Sequence, residues 1–170
     1  MASKTSKIYQ NVKKYYQEVL TGTLIAFDPS SGSQESMPGY AIFIGGKLVE
    51  SGVIKLRPQD SKNVRLYSIS ESIRAEFPKA DVVAIEKIPP VSYNRKGAMS
   101  GWALVALQRS VGAIMSCFSC SYIEVAPASW QKYKFEGYNK SDEHDSICIG
   151  LACIGIAQEV LEELGEEENE

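Results

Sequence analysis

Four carboxylates occupy positions from which they could act together on one substrate. Asp28 and Glu86 each end a short apolar segment, TLIAF and VVAI, that is typical of a buried strand. Asp142 and Asp145 are three residues apart, so they share one face of a helix. The apolar run Ile147–Ala157 follows them and has the length of a buried helix rather than of a membrane span. If the two strands are neighbours and the helix begins beside them, all four carboxylates meet at one edge of a sheet.

Such a cluster of acids predicts a metal site. Like charges at this range repel strongly, and hard divalent cations with oxygen ligands are the usual way to neutralise them. Mg²⁺ suits a site of carboxylates and phosphate, and we expect Mn²⁺ to substitute for it. Two such ions in one active site can activate water and stabilise the leaving oxygen in phosphodiester hydrolysis. Each acid alone could instead be an ordinary surface carboxylate, but the four together favour a hydrolytic site.

Hydrophobic spacing places the elements that must position these acids. It predicts an amphipathic opening helix over residues 7–20, then three locally joined strands, then alternating helices and strands. Gly45-Gly46 is typical of the two-residue turn of a hairpin between the second and third strands. The predicted elements after the opening helix are strands over 22–28, 40–44 and about 47–56, a helix that ends at Pro78, a strand over 81–86, a helix from Met99 to about Cys117, a strand over 122–125, a helical turn over 127–135 and a last helix from Ser141, its expected N-cap, to about Leu164. This order predicts an α/β fold with a five-stranded mixed sheet flanked by helices, the first and fourth strands adjacent at its centre.

Three stretches resemble motifs of the RuvC-type Holliday junction resolvases, whose fold is ribonuclease H-like. They are IAFDPSS followed by GYAI, VAIE followed by GAMSGWALVAL, and DEHDSICIGLA. The resemblance covers roughly residues 22–157 and keeps all four acids in the order of that family. It implies a homodimeric, metal-dependent crossover junction endodeoxyribonuclease that cuts four-way DNA junctions symmetrically. It also implies that Asp28, Glu86, Asp142 and Asp145 are the catalytic, metal-binding residues.

The chain departs from the bacterial pattern of that family in two segments. The loop between Asp28 and Gly39 is longer, and the segment between the fifth strand and the closing acids is much shorter. A stretch that carries a basic residue in bacterial members is thus merged or lost, and Lys132 and Lys140 are the nearest candidates for DNA contact. A compact, divergent version of this kind is expected of a phage-type member.

The loop after Glu86 predicts a second contact with DNA. Pro89 stands where the family often has an aromatic residue, and Tyr93 in the same loop could stack on an exposed junction base. Arg95 and Lys96 could neutralise backbone phosphates. The alternative is a solvated loop without contact to DNA.

Length and composition limit the class of protein. With 170 residues, 44% hydrophobic and 23% charged, the chain can bury one core, which excludes a disordered or collagen-like protein. Residues 159–170 hold seven acids and no base, which leaves 14 acids against 18 bases over residues 1–158. Together with the resemblance over residues 22–157, this predicts a helical extension over 1–21, a nuclease domain over 22–158 and an acidic tail over 159–170.

The N-terminus and the cysteines predict the compartment. The first residues include lysines but no apolar stretch of a secretory signal, and four cysteines in such a chain favour free thiols packed as small hydrophobes. We expect a cytoplasmic protein, in the host cytoplasm if it is phage-encoded. We expect branched DNA as its partner, with no membrane and no small-molecule cofactor.

Two other functions remain open on these residues. Another ribonuclease H-like nuclease, acting on RNA–DNA hybrids or on ribosomal RNA, would share the acids and accept a different duplex. An inactive nucleic-acid-binding relative would share only the fold.

A four-way junction needs paired incisions, which predicts a dimer with two-fold symmetry. The helix over 99–117, which carries small residues among apolar ones, is the expected seam.

Overall fold

The computed structural model describes residues 4–30, 37–55, 62–88 and 101–167. A short 3₁₀ turn over Gln131–Tyr133 extends the fifth helix. The helices and strands are α1 (Lys7–Lys14), α2 (Tyr16–Thr21), β1 (Thr23–Asp28), β2 (Gly39–Ile44), β3 (Lys47–Val53), α3 (Lys62–Glu76), β4 (Val82–Glu86), α4 (Gly101–Met115), β5 (Ser121–Val125), α5 (Pro127–Trp130) and α6 (Asp142–Glu167).

The five strands form one mixed sheet in the order β3-β2-β1-β4-β5. β2 runs antiparallel to both β1 and β3, while β4 runs parallel to β1 and β5. Phe27 lies opposite Ile85 in the parallel pair, so β1 and β4 end together at the same edge. The predicted α/β fold, with its ribonuclease H-like sheet and adjacent first and fourth strands, is confirmed.

Alternation along the two central strands decides which way their last residues face. Even-numbered residues from Leu24 and Val82 onward lie in the core shared with α1, α2, α5 and α6, whereas odd-numbered residues pack against α3 and α4. Asp28 and Glu86 continue the even-numbered series. Both acids are therefore on the face of the sheet that α6 covers.

The hairpin between β2 and β3 turns at the two glycines expected from the sequence. Gly45 and Gly46 have φ values of 57° and 72°, a left-handed conformation that other residues adopt only with strain. Such a two-residue turn matches the twist of the flanking strands and fixes their register.

The opening helix is the main difference from the predicted elements. In place of one helix over 7–20, the chain forms α1 and α2 with a break at Tyr15, where φ is −129° and the amide N–H donates to the Val12 carbonyl 2.9 Å away. Val12 and Val19 are both fully buried in the α6-side core. Each half is thus anchored separately, and this packing overrides the continuous helical spacing.

The ends of the last helix are set by its cap and by its packing. The Ser141 hydroxyl accepts a hydrogen bond from the His144 N–H at 3.3 Å, which confirms the expected N-cap. The helix continues to Glu167, three residues beyond the expected end. No helix in the described ranges combines the length and apolar character needed to cross a bilayer.

Candidate active site

The structure brings the four sequence-predicted acids into one cluster. Asp28 ends β1 with 9% of its surface exposed, and its carboxyl shares a hydrogen bond with that of Glu86 at the end of β4. Asp142 and Asp145, in the first turn of α6, are close enough for their charges to act on both. Strand alternation and the start of one helix thus converge on a single carboxylate-rich edge.

A glycine allows α6 to begin this close to the sheet. Gly39 is the partner of Asp28 in the β1–β2 register. A Cβ atom at Gly39 would overlap the backbone carbonyl of Asp142. The first turn of α6 can therefore lie against β2 only because this position has no side chain.

Burial and the neighbouring negative charges raise the pKa values of Asp28, Glu86 and Asp142. Burial is the largest cause for Asp28, and the charges of Glu86, Asp142 and Asp145 add to it, so that its pKa rises from 3.8 to about 9. Burial also raises the pKa of Glu86, although hydrogen bonds to its carboxylate oppose the shift. The pKa of Asp142 is raised by burial and then by Asp145. Without a counter-charge, the cluster holds a proton at neutral pH.

Two aromatic side chains orient the carboxylates, and sequence reasoning missed their role. Trp130 Nε1 donates to Glu86 Oε1 at 3.2 Å, and the Tyr138 hydroxyl donates to Asp145 Oδ1 at 2.5 Å. Burial, together with the bond to Asp145, raises the pKa of Tyr138. The available signal is the position of Trp130 on a short helix directly after β5 and that of Tyr138 just before the closing acids.

The neighbours of the closing acids point elsewhere. Glu143 Oε1 accepts a hydrogen bond from the Ser51 hydroxyl at 2.7 Å, which directs Glu143 toward β3. His144 Nδ1 accepts from the Asn139 N–H at 2.9 Å and packs against the ring of Phe135. Both side chains hold the start of α6 in place and leave Asp142 and Asp145 for the cluster.

The predicted DNA-contacting lysines are exposed, and a third lysine lies over the aromatic ring whose hydroxyl bonds Asp145. Lys132 has its Nζ 5.3 Å from the centroid of the Tyr133 ring, and Lys140 is exposed just before α6. Lys134 was not predicted, yet its Nζ lies 4.7 Å from the centroid of the Tyr138 ring, whose hydroxyl bonds Asp145. A positive charge is thus held beside the cluster through an aromatic ring.

The remaining predictions concern the loop after Glu86, the cysteines and a bound metal ion. Tyr93, Arg95 and Lys96 lie outside the described residues. All four cysteines are free thiols, as expected, with two on the segment after α4 and two buried in α6. Over the described ranges, no three His, Cys, Asp or Glu side chains are arranged so that they could hold a metal ion as they stand.

Comparison with known proteins gives a fold but no sequence relative. No protein-family model matches the chain, and no curated protein sequence matches it. A solved structure described as "T. thermophilus RuvC in complex with Holliday junction substrate" is similar over 76% of this chain and 90% of its own, with a TM-score of 0.56 and 15% identity. A second, "Thermus thermophilus RuvC structure", is similar over 84% and 96%, with a TM-score of 0.50 and 15% identity. The chain has the ribonuclease H-like fold of the RuvC Holliday junction resolvases.

Proposed function

We propose that this protein is a structure-selective endodeoxyribonuclease that resolves four-way DNA junctions by metal-dependent phosphodiester hydrolysis. The observation that carries the proposal is the cluster of Asp28, Glu86, Asp142 and Asp145 where β1, β4 and α6 meet. Its position on a RuvC-type fold supports a nuclease, and the junction bound in one similar structure suggests the substrate class.

The carboxylate oxygens of the cluster are the ligands that a hard divalent metal ion prefers, although these side chains would have to rearrange to coordinate one. A bound cation would lower the raised pKa values of Asp28, Glu86 and Asp142 and displace the proton that the cluster holds. Asp28, Glu86, Asp142 and Asp145 would hold Mg²⁺ or Mn²⁺, two ions in the proposed mechanism, which supply an activated water and neutralise the leaving oxygen.

The protein's own groups prepare this site. Trp130 and Tyr138 hold Glu86 and Asp145 by hydrogen bonds, which limits the rotation of the carboxylates before substrate binds. Lys134 supplies a positive charge on the side of Asp145. We propose that Lys132 and Lys140, and the loop with Tyr93, Arg95 and Lys96, contact the DNA.

The decisive experiment compares substrates under one set of conditions. A four-way junction, a matched duplex and an RNA–DNA hybrid are incubated with the protein in Mg²⁺, in Mn²⁺ and in excess chelator. We expect paired cuts in the junction only with a metal. Cutting of the hybrid alone would indicate another nuclease of this fold, binding of the junction without cutting would indicate an inactive relative, and full cutting in chelator would contradict the metal mechanism.

Paired incisions require two active sites, so we propose a dimer with two-fold symmetry. α4 is the proposed seam because Val105 and Arg109 are exposed on it and Ala103 and Ala106 are only partly covered. Light scattering of the free and junction-bound protein tests this proposal. A monomer in both states would contradict it.

A further inference from the structure

We propose that the groove between α1 and the edge strand β5, called the α1–β5 groove below, holds the phosphate backbone of one arm of the DNA substrate. This inference rests on the proposed function for the identity of the nucleic acid. The groove itself is argued from its position, its length and its uncompensated charge.

The α1–β5 groove consists of two adjoining cavities of about 610 and about 140 Å³. Lys7, Asn11 and Glu124 line both of them. The larger cavity extends to Ser119 before the start of β5, and the smaller one ends at Lys87. The five residues of β5 span about 17 Å, which corresponds to about five base pairs of B-DNA.

One end of the groove lies next to the acid cluster. Lys87 directly follows Glu86, and its amide N–H donates to the Val125 carbonyl at 2.9 Å where β5 ends. Ser129 lines the same end, adjacent in sequence to Trp130, which bonds Glu86. A strand of DNA lying along the groove would therefore lead to the cluster.

The groove carries positive charge that no described acid neutralises by an ion pair. Lys7 and Lys14 are seven residues apart on α1, which places them on one face of that helix, and both line the groove together with Lys87. None of these three ammonium groups forms an ion pair with another described residue. Glu124 is the only acid among the described residues that line the two cavities.

Phosphate fits the remaining groups as well. Asn11 and several serines offer hydrogen-bond donors. Among the described strands, β5 pairs with β4 alone, so its outward amides are directed away from the sheet. Tyr122 is 56% exposed on the same strand. The acid cluster repels phosphate, so binding energy must come from cations beside it, and the groove supplies them.

The test compares two variants, each of which loses two lysine charges, one inside the α1–β5 groove and the other outside it. The first variant is Lys7→Gln with Lys14→Gln. The matched control is Lys13→Gln with Lys47→Gln, because Lys13 and Lys47 are exposed but line neither cavity. Binding to a four-way junction and to a duplex with the sequence of one arm is measured in chelator at two salt concentrations.

We expect the groove variant to bind both DNAs about 10-fold more weakly at low salt. The slope of log affinity against log salt should become shallower by about 2, since about 0.9 counterion is released for each phosphate contact. The control should change affinity less than about 3-fold at low salt and leave the slope unchanged. The reversal Lys7→Glu with Lys14→Glu should weaken binding further, while circular dichroism shows the wild-type melting curve.

Equal affinities and equal slopes in the groove variant and the control would overturn the proposal. So would weak binding by the reversal variant with an unchanged salt slope. The readout is binding to uncut DNA, so it is independent of cleavage. If the wild-type protein cuts no junction and the groove variant loses duplex binding, the groove proposal is supported and the proposed function is refuted. If the wild-type protein cuts the junction and all variants bind DNA alike, the proposed function is supported and the groove proposal is refuted.

Discussion

The two ends of α6 carry the same kind of side chain in opposite surroundings. In its first turn, the pKa of Asp142 is raised by burial and by the charge of Asp145, and no described cation forms an ion pair with it. Near its other end, Glu163 accepts a hydrogen bond from the Tyr9 hydroxyl at 2.5 Å and forms an ion pair with Lys4 at 2.9 Å. The hydrogen bonds from Tyr9 and then Lys4 lower the pKa of Glu163.

Glu163 therefore stabilises the fold, whereas the acids in the first turn of α6 destabilise it when they are ionised. Glu163 joins the N-terminal helices to α6 and is satisfied by groups of the chain itself. The acids at the first turn lie close to other carboxylates, and their mutual repulsion opposes folding unless a cation binds among them. Destabilising charge held in place by an otherwise stable core is typical of a functional site.

The largest expected effect comes from replacing one acid of the four-carboxylate cluster by its neutral amide. Asp28→Asn or Glu86→Gln should reduce junction cutting by more than about 100-fold, because in the proposed mechanism each is a direct metal ligand, and its loss should exceed the loss usual for an outer partner. Junction binding should be kept or tightened, since each change replaces a carboxyl group that can ionise by a neutral amide of the same size. Cleavage and binding assays on the same preparation measure both. Loss of binding and folding together would show that the residue is structural.

The hydrogen bonds that orient the crowded acids should matter next. Trp130→Phe and Tyr138→Phe each remove one donor to an acid, and we expect cutting to fall by about 10- to 100-fold. Tyr133→Phe is the control, since its hydroxyl donates no hydrogen bond to these acids. Single-turnover cutting rates at saturating junction make the comparison. Equal rates for all three variants would mean that neither aromatic group positions a catalytic acid.

The repulsion among the four acids also predicts that removing one of them stabilises the fold when no metal is bound. The pKa of Asp28 lies at about 9 in the folded state, above its ordinary 3.8, so the folded state holds this proton more tightly than the unfolded state. The corresponding stabilisation is complete below about pH 4 and is lost as the pH rises toward 9. At pH 8 in chelator, Asp28→Asn should therefore be more stable than wild type by about 1–3 kcal/mol. Urea unfolding at pH 5 and pH 8 tests this, and a variant less stable than wild type at pH 8 would contradict it.

The smallest effect is expected near the C-terminal end of α6, where Glu163 is paired with Tyr9 and Lys4. Tyr9→Phe removes the donor to Glu163 and should lower the melting temperature by about 2–4 °C. Lys4→Ala should lower it less, because an exposed ion pair contributes little. Thermal melts followed by circular dichroism measure both, and cutting should be unchanged. A loss of cutting in either variant would show that the contacts of the N-terminal segment with α6 influence the four-acid cluster.

Local pattern was sufficient to predict the sheet. The apolar segments before Asp28 and Glu86, and the turn at Gly45-Gly46, are encoded over a few residues, and their order along the chain determines the topology. The convergence of the four acids followed from that topology. Their catalytic role stays a prediction.

Contacts between residues distant in sequence could not be predicted in the same way. Hydrophobic spacing gave no sign of the break at Tyr15, which depends on how α1 and α2 each pack on α6. The bond from Trp130 to Glu86 joins residues 44 positions apart, and tryptophan alone is equally typical of a core. Lys134 was missed because its relation to Asp145 passes through the ring of Tyr138.

The close approach of α6 to Gly39 has a consequence for natural variation. A substitution at Gly39 would push the first turn of α6 away from β1 and separate Asp142 from Asp28, with every acid still present in the gene. If the proposed function holds, a survey that scores activity by counting the acids would class such a protein as a working nuclease. In genomes and mutant libraries, the residue at position 39 should therefore be examined together with the acids when chains that can assemble this cluster are distinguished from chains that cannot.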